Sequence, residues 1–253
     1  MAKIYALAQQ KGGVGKTTTT INLGAALVEQ GRKVLLVDMD PQGALSAGLG
    51  IDPLSLKETI YDVLRTPRFD LSRVVTSTDT GCDLIPANID LAASEIELVS
   101  EPGRERILKE KLTPAMERYD YILIDCPPSL SLLTLNALAA ASGVIIPVQT
   151  QYFALRGMDL LFQTIDKVQK RINPALKLIG ILPTMYDART VHAREVLEEL
   201  RHTYTDQVCD TAIPLTVKLP DSAMAGQSIM KFNPGSPATE AYRALAVEVE
   251  KRG

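Results

Sequence analysis

At 253 residues, 46% hydrophobic and 23% charged, the chain has the composition of a globular α/β protein with a large core, not that of a disordered or repetitive one. Its net charge of −3 argues against a generally basic nucleic-acid coat, but the charge is uneven, −4 over residues 1–150 and +1 over 151–253, so a basic face belongs to the C-terminal part. Cys82, Cys126 and Cys209 are widely separated, with no C-x-x-C pair to suggest a thiol metal or redox site, and no apolar run approaches the ~18–20 residues of a membrane span.

With Met1-Ala2-Lys3 leading straight into an apolar run, no signal segment is expected, and the reading is a cytoplasmic protein with a single domain over residues 1–253. Residues 4–8 have the length of a buried strand, and residues 17–30 place Ile21, Leu23, Leu27 and Val28 on a helical pattern that stops at Gly31. Between them lies Gln9-Gln10-Lys11-Gly12-Gly13-Val14-Gly15-Lys16-Thr17-Thr18, a strand–glycine loop–helix arrangement that reads as a phosphate-binding loop. Gly12, Gly13 and Gly15, lacking Cβ, let successive N–H groups turn toward phosphate oxygens, and the helix N-terminus adds its positive dipole end. Val14 and Thr18 complete the cradle. Lys16 then reaches the β- and γ-phosphates of ATP, and the Thr17 hydroxyl ligates Mg2+. One irregularity stands out: where the pattern G-x-x-x-x-G-K-[ST] begins with glycine, this chain has Gln10, followed by a second lysine, Lys11. Lys11 is either a solvated loop charge or an extra cation aimed at phosphate.

A second strand over residues 33–37 runs into Asp38-Met39-Asp40-Pro41-Gln42-Gly43. Two acids two residues apart on extended chain point the same way, at the edge where parallel strands deliver residues to a ligand. Asp38 would hold a Mg2+-bound water, and Asp40 would orient or deprotonate the attacking water; the competing reading of Asp40 is plain turn chemistry, for which Asp-Pro-Gln-Gly is suited. Residues 58–64 suggest a short helix, 71–75 an edge element, 83–86 a strand, 88–99 a helix and 104–118 an amphipathic helix with a solvated face. Tyr121-Ile122-Leu123-Ile124-Asp125 has the form of a buried strand ending in a metal-facing acid, and Pro127-Pro128-Ser129 stiffens the following turn into a candidate γ-phosphate sensor. Cys126 reads as packing.

Helices over 130–141, 155–171 and 191–203 alternate with strands over 144–148 and 178–182, and Ser236-Pro237 starts a final helix. The fold class is therefore α/β, a P-loop NTPase with a mainly parallel twisted sheet and helices on both faces. Arg189, Arg194, Lys218 (in a loop after Pro214), Lys231 and Arg243 are the candidate cations of the basic face. His192 and His202 lack metal-ligand spacing and read as surface residues.

With Lys11 to Thr17, Asp38 to Gln42 and Asp125 to Ser129 in register, the chain closely resembles the ParA/Soj partition ATPases almost end to end. Pro147-Val148-Gln149, Tyr152-Phe153-Ala154-Leu155 and Met185-Tyr186-Asp187-Ala188-Arg189-Thr190 add to the resemblance. It implies a deviant Walker A ATPase with weak intrinsic activity, in which ATP closes a homodimer face to face and Lys11 of each subunit reaches the nucleotide of the other. It further implies ATP-dependent, non-specific binding to double-stranded DNA at the nucleoid, hydrolysis stimulated by a ParB-like activator, and segregation of a chromosome, plasmid or other cargo. On the matching positions Arg189 and Lys218 would contact DNA, and Pro214 would lie beside the adenine. The chain departs from the family where Leu215-Thr216-Val217-Lys218 replaces Arg-Asn-Val-Arg, and where Gln151 and Arg156 replace common glutamates. With no DNA-reading helix-turn-helix domain ahead of residue 1 in this sequence, operator-specific autorepression is not expected.

Two rivals share the loop. A MinD-like membrane ATPase needs a basic amphipathic C-terminal helix, whereas residues 241–253 carry acids and small apolar residues suited to docking on a core. A small-molecule kinase or ligase needs an acceptor pocket, for which no motif is found.

Overall fold

The computed structural model describes residues 1–151 and 158–253. The apolar runs become strands β1 (Lys3–Leu7), β2 (Val34–Asp38), β3 (Thr76–Ser77), β4 (Asp83–Ile85), β5 (Tyr121–Asp125), β6 (Gly143–Gln149) and β7 (Lys177–Thr184), joined in one sheet of order β3-β4-β2-β5-β1-β6-β7. All neighbours are parallel except β3 and β4.

Successive strand residues feed two separate cores. Ile4, Ala6, Leu35, Val37, Ile122 and Ile124 face one, while Tyr5, Leu7, Val34, Leu36, Tyr121 and Leu123 face the other. A sheet buried on both faces has no polar alternation to show, so its strands read as continuous apolar runs. The first core is covered by α3 (Ile60–Arg65), α4 (Leu91–Glu97), α5 (Ile107–Leu112), α6 (Leu132–Ala140), α7 (Met158–Arg171) and α8 (Val191–Tyr204). The second is covered by α1 (Lys16–Glu29), α2 (Ala44–Gly48), α9 (Lys218–Met224), α10 (Ile229–Phe232) and α11 (Pro237–Arg252). Helix ends follow local chemistry. Thr59 and Asp62 form a capping box at α3, Thr190 caps α8, and Ser236 accepts from Thr239 N–H ahead of Pro237 at α11.

Close strand approach depends on one missing side chain. Gly143 is paired in register with Tyr5, and a Cβ there would sit 2.4 Å from Ile179 Cγ1 and 3.1 Å from the Tyr5 ring.

Several expectations shift. The edge element at 71–75 is a 3-10 turn, Leu71–Arg73, in which Asp70 accepts from Ser72 N–H, and the edge strand follows it as β3. The helix expected over 104–118 is only α5, flanked by 3-10 turns at Arg104–Arg106 and Thr113–Glu117, because Pro114 cannot continue an α-helix. Lys218 does not lie in a loop but begins α9. The short helices α2 and α10 were not anticipated, since segments of 5 and 4 residues carry no readable period. Tyr152 to Leu155, Arg156 and the start of the helix expected at 155 lie outside the described residues.

Candidate functional site

Three adjacent strands, β2, β5 and β1, end together. Asp38 pairs in register with Asp125, and Asp125 with Leu7, so the two carboxylates are neighbours on adjacent strands and the glycine loop begins beside them. The loop takes its turn at Gly13 and Gly15, with φ of 70° and 89°, a region that side chains disfavour. Gly12 is outside that region and instead passes Pro128 of the following turn, 4.0 Å from where a Cβ would lie. The loop is anchored at its far side by Thr184 at the end of β7, whose hydroxyl donates to the Val14 carbonyl at 2.8 Å.

Lys16, the first residue of α1, is buried, and its Nζ donates to the Lys11 carbonyl at 3.5 Å, curled over the loop as a phosphate ligand must be. Lys11 itself is exposed, and its ammonium has no ion-pair partner among the described residues. The two lysines, adjacent across the loop, thus have opposite environments.

Thr17 Oγ1 donates to Asp125 Oδ2 at 2.6 Å, and Thr20 Oγ1 lies 3.4 Å from Asp125 Oδ1. Asp38 accepts from the Asp40 N–H at 3.1 Å and from both the N–H and the hydroxyl of Ser46, at 3.0 and 2.8 Å. Both carboxylates are wholly buried. Desolvation, with the nearby Asp38 charge, pushes Asp125 up to about 8 against the pull of Thr17 and Lys16. Desolvation likewise raises Asp38 to about 6, opposed by its bonds from Ser46 and Asp40. Two buried acids forced toward protonation, with a hydroxyl on one of them, form an all-oxygen donor set that suits Mg2+. Among the described residues no cluster of three or more His, Cys, Asp or Glu could hold a metal alone. Asp40 is half-buried and accepts from Gln42 N–H at 3.0 Å, so the turn reading of this residue holds structurally and leaves one carboxylate oxygen without a donor among the described residues.

Beside the loop is a cavity of about 120 Å3, lined among others by Gly15, Thr18, Thr184, Met185, Pro214 and Tyr242. Pro214 is brought there by pairing of residues 213–215 along the end of β7: Tyr186 N–H donates to Ile213 O at 2.9 Å and Leu215 N–H to Tyr186 O at 3.0 Å. A larger cavity, of about 750 Å3, lies at the opposite end of the sheet among Lys3, Arg32, Asp120 and Glu250, far from the loop.

Arg189 is 89% exposed and forks onto Asp187 through two bonds of 2.9 Å, holding that carboxyl down at about 2. Lys218 faces Asp221 at 3.5 Å. Arg194 donates to Ala188 O, Lys231 pairs with Asp79, and Arg243 with Glu29 and Glu240. Every candidate cation is therefore accessible but already engaged locally. Cys126 is buried, as packing requires. Ser46, Thr20, Thr184 and Tyr242 escaped the sequence reading; only Ser46 left a trace, as a hydroxyl eight residues past Asp38.

A family model described as an AAA domain matches residues 2–178. An uncharacterized protein of Mycobacterium tuberculosis is 54% identical over 252 residues, 99% of this chain and 79% of that protein. The sporulation initiation inhibitor protein Soj of Bacillus subtilis is 46% identical over 253 residues, 100% of each. A solved structure of cobyrinic acid a,c-diamide synthase from Mycobacterium smegmatis, with a bound ATP analogue and magnesium, matches with a TM-score of 0.87 and 44% identity, covering 98% of this chain and 93% of that one. The fold is that of a P-loop ATPase, and the cofactors are ATP and Mg2+. The chain is an ATPase and belongs to the ParA/Soj family of partition ATPases.

Proposed function

We propose that this chain, working as one unit over residues 1–253, is a positioning ATPase that closes into a face-to-face dimer on ATP. The dimer binds double-stranded DNA without sequence preference and is reset when a ParB-like activator stimulates hydrolysis. The observation that carries this reading is the contrast between the two lysines: Lys16 is buried over its own loop, whereas Lys11 is exposed with no ion-pair partner among the described residues. A cation at the mouth of a phosphate site is best explained by the nucleotide of a second subunit.

In this reading Gly12, Gly13, Val14, Gly15, Thr17 and Thr18 cradle the phosphates with Lys16. Pro214 borders the adenine in the 120 Å3 cavity. Thr17, Asp38 and Asp125 would hold Mg2+, which neutralises phosphate charge when bound. Asp40 accepts a proton from the attacking water as its oxygen bonds to the γ-phosphorus and the bond to ADP breaks. Arg189 and Lys218 exchange their carboxylate partners, Asp187 and Asp221, for DNA phosphates. The site of action is cytoplasmic, on the nucleoid, and the cargo is a chromosome, a plasmid or another large body.

Two observations weigh against the rivals. Tyr242, Leu245, Ala246 and Val249 of α11 are buried in the core, so these apolar side chains are not available to a membrane surface; among the described residues no helix is long and apolar enough to cross one. The M. smegmatis neighbour is named a cobyrinic acid a,c-diamide synthase. A small-molecule kinase or ligase needs an acceptor pocket, and this sequence carries no motif for one. The decisive experiment is mobility shift on unrelated DNA with ATP, ADP or no nucleotide, alongside light scattering for mass. Dimer mass and DNA retardation with ATP alone support the reading; equal retardation with ADP, or strong co-sedimentation with anionic liposomes instead, overturns it.

A further inference from the structure

Ser46 lies off the loop and touches neither candidate catalytic nor nucleotide-binding groups, yet it is wholly buried and its hydroxyl has no freedom of direction. The Ala87 N–H, which can only donate, points at Ser46 Oγ from 3.1 Å. The hydroxyl's own proton therefore goes to Asp38 Oδ2, 2.8 Å away, and the Ser46 N–H adds a second bond to the same oxygen at 3.0 Å. Oδ2 thus has both lone pairs engaged, while among the described residues Oδ1 accepts only the Asp40 N–H and keeps one lone pair open.

This arrangement also spans two strands. Asp38 ends β2, and Ala87 lies two residues past β4, whose pairing with β2 runs to Val37 and Ile85. One serine thereby ties the acid to the outlet of the neighbouring strand. Gly43, which opens α2, makes room for it: its φ is 63°, and a Cβ there would lie 3.0 Å from the Ala87 carbonyl.

We infer that Ser46 is a positioning residue for Mg2+: it locks the Asp38 carboxylate in one orientation and leaves a single lone pair of Oδ1 to serve the ion or its water. This rests on the assignment of Asp38 to the Mg2+ site. Groups that orient metal-site carboxylates typically carry 10–100-fold in metal affinity. Ser46 would act on the ion and leave the grip of the loop on the nucleotide itself unchanged.

The test is ADP binding by calorimetry, in EDTA and across a Mg2+ titration, for the wild type, Ser46→Ala and Ser46→Thr, with thermal melts of each. The expected result is a Mg2+ midpoint raised ~10-fold or more in Ser46→Ala, unchanged ADP affinity in EDTA, and a midpoint restored in Ser46→Thr, which keeps the hydroxyl. An unchanged midpoint in Ser46→Ala overturns the inference. So does a parallel loss of ADP affinity in EDTA, which would mark a merely structural role. If Ser46→Ala does not fold, Ser46→Thr with a wild-type midpoint supports the hydroxyl's role, and a raised midpoint in that folded variant contradicts it. A wild type whose ADP binding ignores Mg2+, or an Asp38→Asn variant with a normal midpoint, instead removes the Asp38 assignment beneath it.

Discussion

Thr17 Oγ1 donates to Asp125 Oδ2 across 2.6 Å, joining the first turn of α1 to the end of β5 at the point where Asp38 arrives from β2. The bond places a hydroxyl and two buried acids at one spot, with Lys16 the cation that acts on Asp125. Their shared burial holds protons on them above the ordinary carboxylate value of 3.8, with Asp38 at about 6 and Asp125 at about 8.

A stability prediction follows from the sign of those shifts. A folded pKa raised above the unfolded one means that the folded state binds more protons between the two, so stability falls as pH rises through that window. For Asp125 the window runs from about 3.8 to about 8. Asp125→Asn removes this term. Without metal or nucleotide, the variant should melt higher than the wild type by on the order of a few degrees near pH 8. The gap should shrink as pH falls toward 4, and the variant should lose Mg2+-dependent ATP binding. Calorimetric melts across pH check it, and a gap independent of pH contradicts it.

Chemistry and closure separate at two other residues. Asp40→Ala removes a general base, an effect of typically ~10²–10⁴-fold on rate, and should leave an ATP dimer that persists because it cannot hydrolyse. Lys11→Ala should bind ATP through Lys16 but remain monomeric and resist stimulation. Light scattering with ATP and phosphate release, measured together, distinguish them. A dimeric Lys11→Ala protein with normal stimulated hydrolysis returns Lys11 to a surface charge.

The packing at Gly143 gives a test of the fold alone. A methyl placed 2.4 Å from Ile179 Cγ1 has nowhere to go without moving β7 or the Tyr5 ring. Gly143→Ala should therefore destabilise by ~1–3 kcal/mol, the usual cost of overpacking, read from urea unfolding midpoints. An unchanged midpoint would mean that β6 and β7 separate freely.

What was legible in the sequence was set by local rules. The glycine loop, the acids ending β2 and β5, and the Ser236-Pro237 start of α11 are each fixed by neighbours in the chain, and each is where it was expected. Ser46 and Thr184 were not legible, because their roles depend on partners at Ala87 and Val14, 41 and 170 residues away. Lys218 was placed in a loop because the seven-residue α9 is too short to show a period and begins immediately after the segment that pairs with β7. The pairing of Arg189 with Asp187 was likewise hidden, although both residues stand in the quoted motif, because a turn that folds two residues onto each other leaves no periodic signal.

The segment Leu215-Thr216-Val217 supplies the last prediction. Leu215 and Val217 are 59% and 73% exposed beside the cation Lys218. If that surface meets DNA, Leu215→Arg adds one phosphate contact. Each such contact steepens the dependence of log affinity on log salt by ~0.9. The variant should thus bind unrelated DNA more tightly with ATP at low salt and lose that advantage as salt rises. Arg189→Ala should do the reverse, weakening binding on every sequence alike and flattening the slope by about the same amount. Fluorescence anisotropy on two unrelated duplexes over a salt series reads both changes. Identical slopes in all three proteins would place the DNA contact elsewhere on the molecule.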